Sequence, residues 1–472
     1  MACPTRVPHD RVIPPTERVR LVERVGYAAG DLASCLYYNT FSLFLMFFYT
    51  DTFGIGPAAA GTMLLVTRTW DNFADPLMGL LADRTKSRFG KFRPWLLWIA
   101  VPFFISGVLA FITPGFGPTG KLLYAYATYT LVMLVYTAIN IPYGALLGVI
   151  TPDSAERTRL SSYRFLGAFA GNLVVQGTLL TLVKTLGRGN DRLGWPLAVG
   201  VFGLAAMLLF LFTFSITRER LQAVSESAAT VRGDLLDLLR NRPWLVLGAV
   251  SILCLTWISI RNACLVYYFK YYVGRADLTT SFLVAGTVCT LGGVALTDRI
   301  TTLLGGKKRA YIWLTLLGAA THIGLYFAGP RDFVLMYASQ MAGSFFTGPL
   351  FPLIWAMYAD TADYGEWRFG HRATGLIFSA GTFSQKMGWT VGAAVAGWLL
   401  GLYGYQANAA QNVNTLFGIR LLVSLMPAAA CGLTVLAASF YNLDAVLEKR
   451  IERELAVRRQ EGAAVEPVRQ ST

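Results

Sequence analysis

Charge is scarce in this chain. Only 14% of its 472 residues are Asp, Glu, Lys or Arg, against 54% hydrophobic, and mean hydropathy is +0.48. So little charge cannot cover the surface of a single soluble core with polar groups. Histidine is limited to His9, His322 and His371, with no metal-spaced cluster. The GxSxG, HExxH and GxxxxGK[ST] patterns are missing as well, which argues against a hydrolase, a metalloprotease or a nucleotide-binding enzyme. Six cysteines, Cys3, Cys35, Cys254, Cys264, Cys289 and Cys431, show neither CxxC spacing nor a secreted disulfide pattern. They read as small apolar packing residues. The first 25 residues are polar and Arg-rich without an apolar run, so no cleaved signal peptide is expected.

What the chain has in abundance is apolar stretches of roughly twenty residues, the length that crosses about 30 Å of hydrocarbon. About twelve are expected, near 26–50, 57–82, 94–113, 120–149, 162–186, 194–217, 244–272, 277–297, 309–329, 332–358, 373–402 and 415–441. The net charge of +14 falls mainly in alternate loops and in the two tails. That is the positive-inside pattern of a multi-pass protein of the plasma (inner) membrane with both termini cytoplasmic. It leaves no basic face for nucleic acid, so no nucleic-acid partner is expected; membrane lipid is.

The longest polar interruption, Arg218 to Arg242, divides the apolar stretches six and six. The expected organisation is a cytoplasmic tail (1–25), a six-helix bundle (26–217), a central cytoplasmic loop (218–243), a second six-helix bundle (244–441) and a cytoplasmic tail (442–472). In the last, Leu443, Val446, Ile451 and Leu455 suggest an amphipathic helix along the membrane face, with disorder expected beyond Gly462. The halves repeat a signature: Asp83-Arg84 is followed by Gly90-Lys91, and Asp298-Arg299 by Gly305 with Lys307, Lys308 and Arg309. A parallel repeat of two six-helix halves fits this spacing.

Within the spans stand Asp31, Arg68, Asp71, Asp75, Arg164 and Lys386. Charges at such depth are costly and normally face a protein-lined path for ions or substrates. Asp71 and Asp75 are one helical turn apart and share a face, with Arg68 a turn earlier. Such a pair can serve a hard cation such as sodium through oxygen ligands, or act as a proton carrier because close carboxylates raise each other's proton affinity. A purely structural network is the plainer alternative, with Arg68 and Lys386 neutralising the acids. Asp363 and Glu366 are expected in a cytoplasmic loop, paired with Arg368 and Arg372.

Gly79, Asp83, Arg84, Gly90, Lys91 and Arg93 resemble the loop between the second and third helices of the major facilitator superfamily, where the motif gates conformational change. Thr67-Arg68-Thr69-Trp70-Asp71-Asn72-Phe73-Ala74-Asp75-Pro76, Arg88 to Trp95, Asp363 to Trp367, Arg372 to Gly375 and Gly381 to Lys386 resemble, in order, one family of that superfamily. It is the glycoside-pentoside-hexuronide:cation symporters, of which melibiose permease is the familiar member. The resemblance implies an all-α membrane carrier of about twelve helices in two six-helix halves. It implies that Asp71 and Asp75 line a cation site with Thr137 and Asn140. It further implies that Asp31, Tyr38, Tyr136, Asn140 and Arg164 surround the sugar, and that Lys386 meets the acids of the second helix. Asn140, Ala74, Gly144 and Gly30 stand where melibiose permease has an aspartate, an asparagine, a tryptophan and a lysine. Galactoside specificity therefore does not transfer, and the coupling ion stays open between sodium and proton.

The expected function is symport of a sugar or glycoside into the cytoplasm, with no organic cofactor, no metal beyond sodium, and a monomer sufficing. A carrier of lysolipids or other amphiphiles on the same fold is the alternative; the polar set Asp31, Asn140, Arg164 and Gln176 favours sugar. A membrane enzyme or a non-transporting sensor is the alternative of another class, and the short tails supply no output domain for a sensor.

Overall fold

The computed structural model describes residues 19–151, 154–220, 238–369, 374–444, 446–451, 453–455 and 457. Within these, the side chains of Phe73, Pro76, Asp83, Ser154, Ala155, Thr158, Thr374 and Gly375 are excepted. Arg372 and the segment beyond Gly462 lie outside the described residues, as does most of the expected central loop.

The N-terminal half consists of α1 (Leu21–Phe47), α2 (Pro57–Arg84), α3 (Arg93–Ala110), α4 (Pro118–Ile150), α5 (Ser154–Gly187) and α6 (Asp191–Ile216). The C-terminal half has α7 (Arg242–Tyr267), α8 (Leu278–Ala295), α9 (Thr297–Leu303), α10 (Lys307–Phe327), α11 (Phe333–Thr347), α12 (Leu350–Phe369), α13 (Thr374–Leu402), α14 (Val413–Val423) and α15 (Leu425–Ser439). The pairs α8/α9, α11/α12 and α14/α15 are each one crossing with a break, at Leu296, at Gly348-Pro349 and at Ser424, so the second half also crosses six times. Nine of the described crossings are long and apolar enough to span a bilayer by composition alone. The other three are α2, which is diluted by its charges, α11/α12, which is divided by its break, and α13.

The first crossing of each half ends alike. After α1, Phe48–Phe53 forms a π-helical turn stopped by Gly54 at φ 86°; after α7, Tyr268–Val273 does the same before Gly274 at φ 74°. The internal repeat is thus present in backbone geometry as well as in the charged loops. Packing repeats too. A Cβ on Gly167 or Gly171 of α5 would meet the Ala28 or Leu32 carbonyl oxygen of α1 at 2.3 or 2.9 Å. On Gly388 or Gly392 of α13 it would meet the Ile252 or Thr256 oxygen of α7 at 2.6 or 2.4 Å. Small residues four apart let backbones touch, which matters in lipid because apolar burial gives little drive for helix association there.

The N-terminal half packs around Phe41, Phe44, Phe48, Phe111 and Trp195, and the C-terminal half around Trp257, Tyr311, Leu314 and Tyr358. Large apolar side chains such as Trp98, Leu204, Leu208, Leu433 and Leu436 stay exposed, as a lipid-facing belt requires. The expectation for the tenth crossing needs correction. Helix α12 runs to Phe369 rather than stopping near 358, so Asp363 and Glu366 sit on a helix and not in a loop. Its end is held by the C-terminal tail: Trp367 Nε1 donates to Glu454 at 2.6 Å, and Leu443, Ile451 and Leu455 are buried while Val446 is 78% exposed.

Candidate functional site

Helix α5 lies against α1 through its glycines, and this brings Arg164 to Asp31. Arg164 Nε donates to Asp31 Oδ2 at 2.9 Å, and the guanidinium rests 5.1 Å from the centre of the Tyr143 ring, which itself stacks on Tyr27. Helices α2 and α4 face each other at the next level. Thr137 Oγ1 of α4 lies 2.7 Å from Asp71 Oδ1 and 3.1 Å from Asp75 Oδ1, so one hydroxyl bridges the two carboxylates. The other half of the protein reaches the same pair: Lys386 Nζ of α13 makes a close bond to Asp75 Oδ2 and lies 3.6 Å from Asp71 Oδ2.

Asn140 is one turn from Thr137, but its partners are elsewhere. It accepts from Ser34 Oγ at 2.6 Å and donates to the Tyr136 carbonyl. Since Ser34 is one turn from Asp31, Asn140 bonds toward the Asp31 side and makes no described contact with Asp71 or Asp75. Arg68 shares a face with the acids and acts electrostatically on Asp71, but its Nε donates to the Tyr129 hydroxyl at 2.8 Å, and the ion pairs to both acids come from Lys386. Spacing along a helix fixes the face but not which neighbour the long side chain finds.

A cavity of about 550 Å³, part of it open to solvent, is lined by Tyr38, Phe41, Ser42, Arg68, Asp71, Asn72, Tyr129, Met133, Tyr136, Lys386, Trp389 and Thr390. Tyr38 stands between Tyr136, at 6.4 Å between ring centres, and Trp389 of α13, edge-on at 6.2 Å. The sequence reading missed Trp389, Tyr129 and the unpartnered amide nitrogen of buried Asn72. Asn72 was adjacent to a named acid and so within reach of that reading. Trp389 was not, because only the packing of α13 brings it to the N-terminal half. The oxygen set of Asp71, Asp75 and Thr137 fits a hard cation, and Lys386 holds the position such a cation would contest.

Both expected loop signatures tie onto the end of their own half. Gly90 adopts φ 107°, and the Glu219 carboxylate just past α6 accepts the backbone N–H groups of Lys91, Phe92 and Arg93, each at 2.8 Å. Charge-assisted capping of this kind satisfies the orphan donors that open α3. In the second half Lys307 binds Asp360 and lies 3.5 Å from Glu448, past α15. Arg84 is exposed, and the side chain of Asp83 is not described. A Cβ on Gly90 would lie 2.4 Å from Glu219, besides the strained φ. Gly90→Ala is therefore expected to lower stability by about 1–3 kcal/mol, read as a fall in melting temperature of the purified protein, with Glu219→Gln lowering it less.

At the end of the bundle opposite the termini the halves are bolted together. Asp51, in the first π-helical turn and 2% exposed, accepts from Lys270 Nζ of the second at 2.7 Å and from the hydroxyls of Tyr271 and Tyr405. Thr50 bonds Tyr267 at 2.7 Å, and Asn408 donates to the Asp51 carbonyl at 2.6 Å. A Cβ on Gly61 of α2 would meet the Ala394 oxygen of α13 at 2.7 Å, so these helices also touch on that side.

Two six-crossing bundles around a charged central cavity define a membrane carrier of small molecules. The chain belongs to the MFS/sugar transport protein family, whose model matches residues 26–445. Among its relatives, the inner membrane symporter YicJ of Escherichia coli is 37% identical, with 93% of this chain and 96% of that protein covered. The isoprimeverose transporter of Lactiplantibacillus pentosus is 33% identical over 95% and 93%. The solved nucleoside transporter NupG shares the fold at TM-score 0.60 and 15% identity, over 90% of this chain and all of that one. The protein is a multi-pass major facilitator transporter and not an enzyme.

Proposed function

We propose that the protein carries out symport of a sugar or glycoside with sodium or a proton, inward across the cytoplasmic membrane, with both termini on the cytoplasmic side. The observation that carries this reading is the tie between Lys386 of one half and the Asp71/Asp75 pair of the other. A sodium ion drawn to the oxygens of Asp71, Asp75 and Thr137 competes with the lysine ammonium, and a proton on Asp75 removes the charge that holds it. Either event alters a bond between the halves, which is what coupling a cation to alternation requires. The sugar is read by Asp31 and Arg164, whose acceptor and donor geometries suit hydroxyl groups, and by the faces of Tyr38, Tyr136 and Trp389. The relatives named as a symporter and as an isoprimeverose transporter support the substrate class, and the name of YicJ supports the membrane.

On this reading the Asp51 cluster is the outer seal, and solvent reaches the partly exposed Asp31, Arg164 and Lys386 from the cytoplasm. Asp51→Asn is expected to loosen the seal. With Ser42→Cys as reporter in the cavity, labelling by a membrane-impermeant thiol reagent from outside should rise several-fold. Labelling no faster than with Asp51 intact would argue that the cluster seals nothing.

A further inference from the structure

The six central charges balance, three acids against three bases, and the C-terminal half holds a further cation that none of them serves. Arg261, within the last two turns of α7, is 8% exposed. Its guanidinium donates to the Gln340 side-chain oxygen of α11, while its Nε–H has no partner. One turn earlier on the same face is Trp257, 3% exposed, whose indole N–H is also unpartnered. Against its ring, edge-on at 5.1 Å, packs His322 of α10, 4% exposed and without a partner at Nε2. Arg261 is close enough to act electrostatically on His322.

Among the described residues no carboxylate pairs with this cluster. From residue 242 to 359 the only acids are Asp277, Asp298 and Asp332, all outside the long crossings or at their ends, and from 374 to 439 there are none. An unpaired charge in a membrane interior is costly, and buried donors without acceptors add to that cost. The unpartnered groups are three nitrogens that are or can be donors and the hydroxyl of Tyr268, which also acts electrostatically on Arg261 and can itself donate. We propose that Arg261, Trp257 and His322, whose side chains join α7 to α10 and α11, form a binding site for a small monovalent anion of the halide class. The Arg261 guanidinium supplies the charge, and the Trp257 and His322 ring nitrogens supply hydrogen bonds. The site lies within the C-terminal half and is independent of the sugar and cation site.

The test uses the purified full-length protein, melted in sodium chloride or sodium bromide against sodium gluconate, with sodium and ionic strength held constant and no sugar present. A saturable rise in melting temperature with halide is expected. Arg261→Gln should abolish it, and Trp257→Phe should move the halide midpoint about tenfold higher. In crystals grown with bromide, anomalous scattering should place the ion beside Arg261. Equal melting in halide and gluconate would overturn the proposal, as would an unchanged halide response in Arg261→Gln. If that variant does not fold, a halide midpoint in Trp257→Phe equal to that of the parent overturns it instead. Failure of the sugar or cation reading would leave all these readouts unchanged.

Discussion

Asp71→Asn is expected to leave sugar exchange across the membrane measurable while abolishing accumulation against a gradient. The amide keeps the size of the side chain and a contact with Thr137 Oγ1, now 2.7 Å from the acid, but removes one of two charges facing a cation. Coupling between two ligands in carriers and switches is typically about 1–3 kcal/mol, or roughly 5–150-fold in affinity. In the variant the cation-dependent gain in sugar affinity should fall to about onefold. Preloaded vesicles should still exchange labelled sugar, because Asp31 and Arg164 are untouched. Undiminished uphill uptake by Asp71→Asn would remove the carboxylate pair from the coupling mechanism.

Arg164→Gln carries the second large effect, and it acts on substrate as well as stability. Breaking a buried ion pair strands the remaining charge at a cost of roughly 3–5 kcal/mol. Arg164 is about one-third exposed, with Asp31 14% exposed, so the lower end of that range is the upper bound here. The double variant Asp31→Asn with Arg164→Gln removes both charges and should recover much of the lost melting temperature. Sugar binding should not return with it. A double variant that binds sugar normally would show that the pair only fastens α1 to α5.

Much of this architecture was legible in the sequence, for a physical reason. Hydropathy reports directly on which segments lipid accepts, and most expected crossings begin and end within a few residues of the helices observed. The failure at α12 is instructive. Asp363 and Glu366 suggested a loop, but a helix leaving the membrane continues when its polar side meets partners, here Lys307 at Asp360 and the tail at Trp367. The acids of the central site were conspicuous because charge in a span is rare. Their partners were less so. Lys386 was expected at the acids through the family resemblance, Arg68 turned to Tyr129, and Trp389 entered the cavity only through the docking of α13 on α2. Glu219 looked like one more loop charge until the turn at Gly90 aimed three N–H groups at it. Asp51 and Lys270 occupy matching π-helical turns in the two halves, and nothing in either local sequence says that the turns meet.

The central claim is that sugar and cation are bound together. Calorimetric titration of the purified protein with a panel of glycosides, pentosides and uronides, in sodium against choline and at two pH values, tests it most directly. The account predicts at least one sugar whose affinity rises several-fold with sodium or with lowered pH, and loses that dependence in Asp71→Asn. A sugar bound with the same affinity under all four conditions would contradict it, leaving a sugar carrier in which Asp71, Asp75 and Lys386 hold helices together and couple nothing.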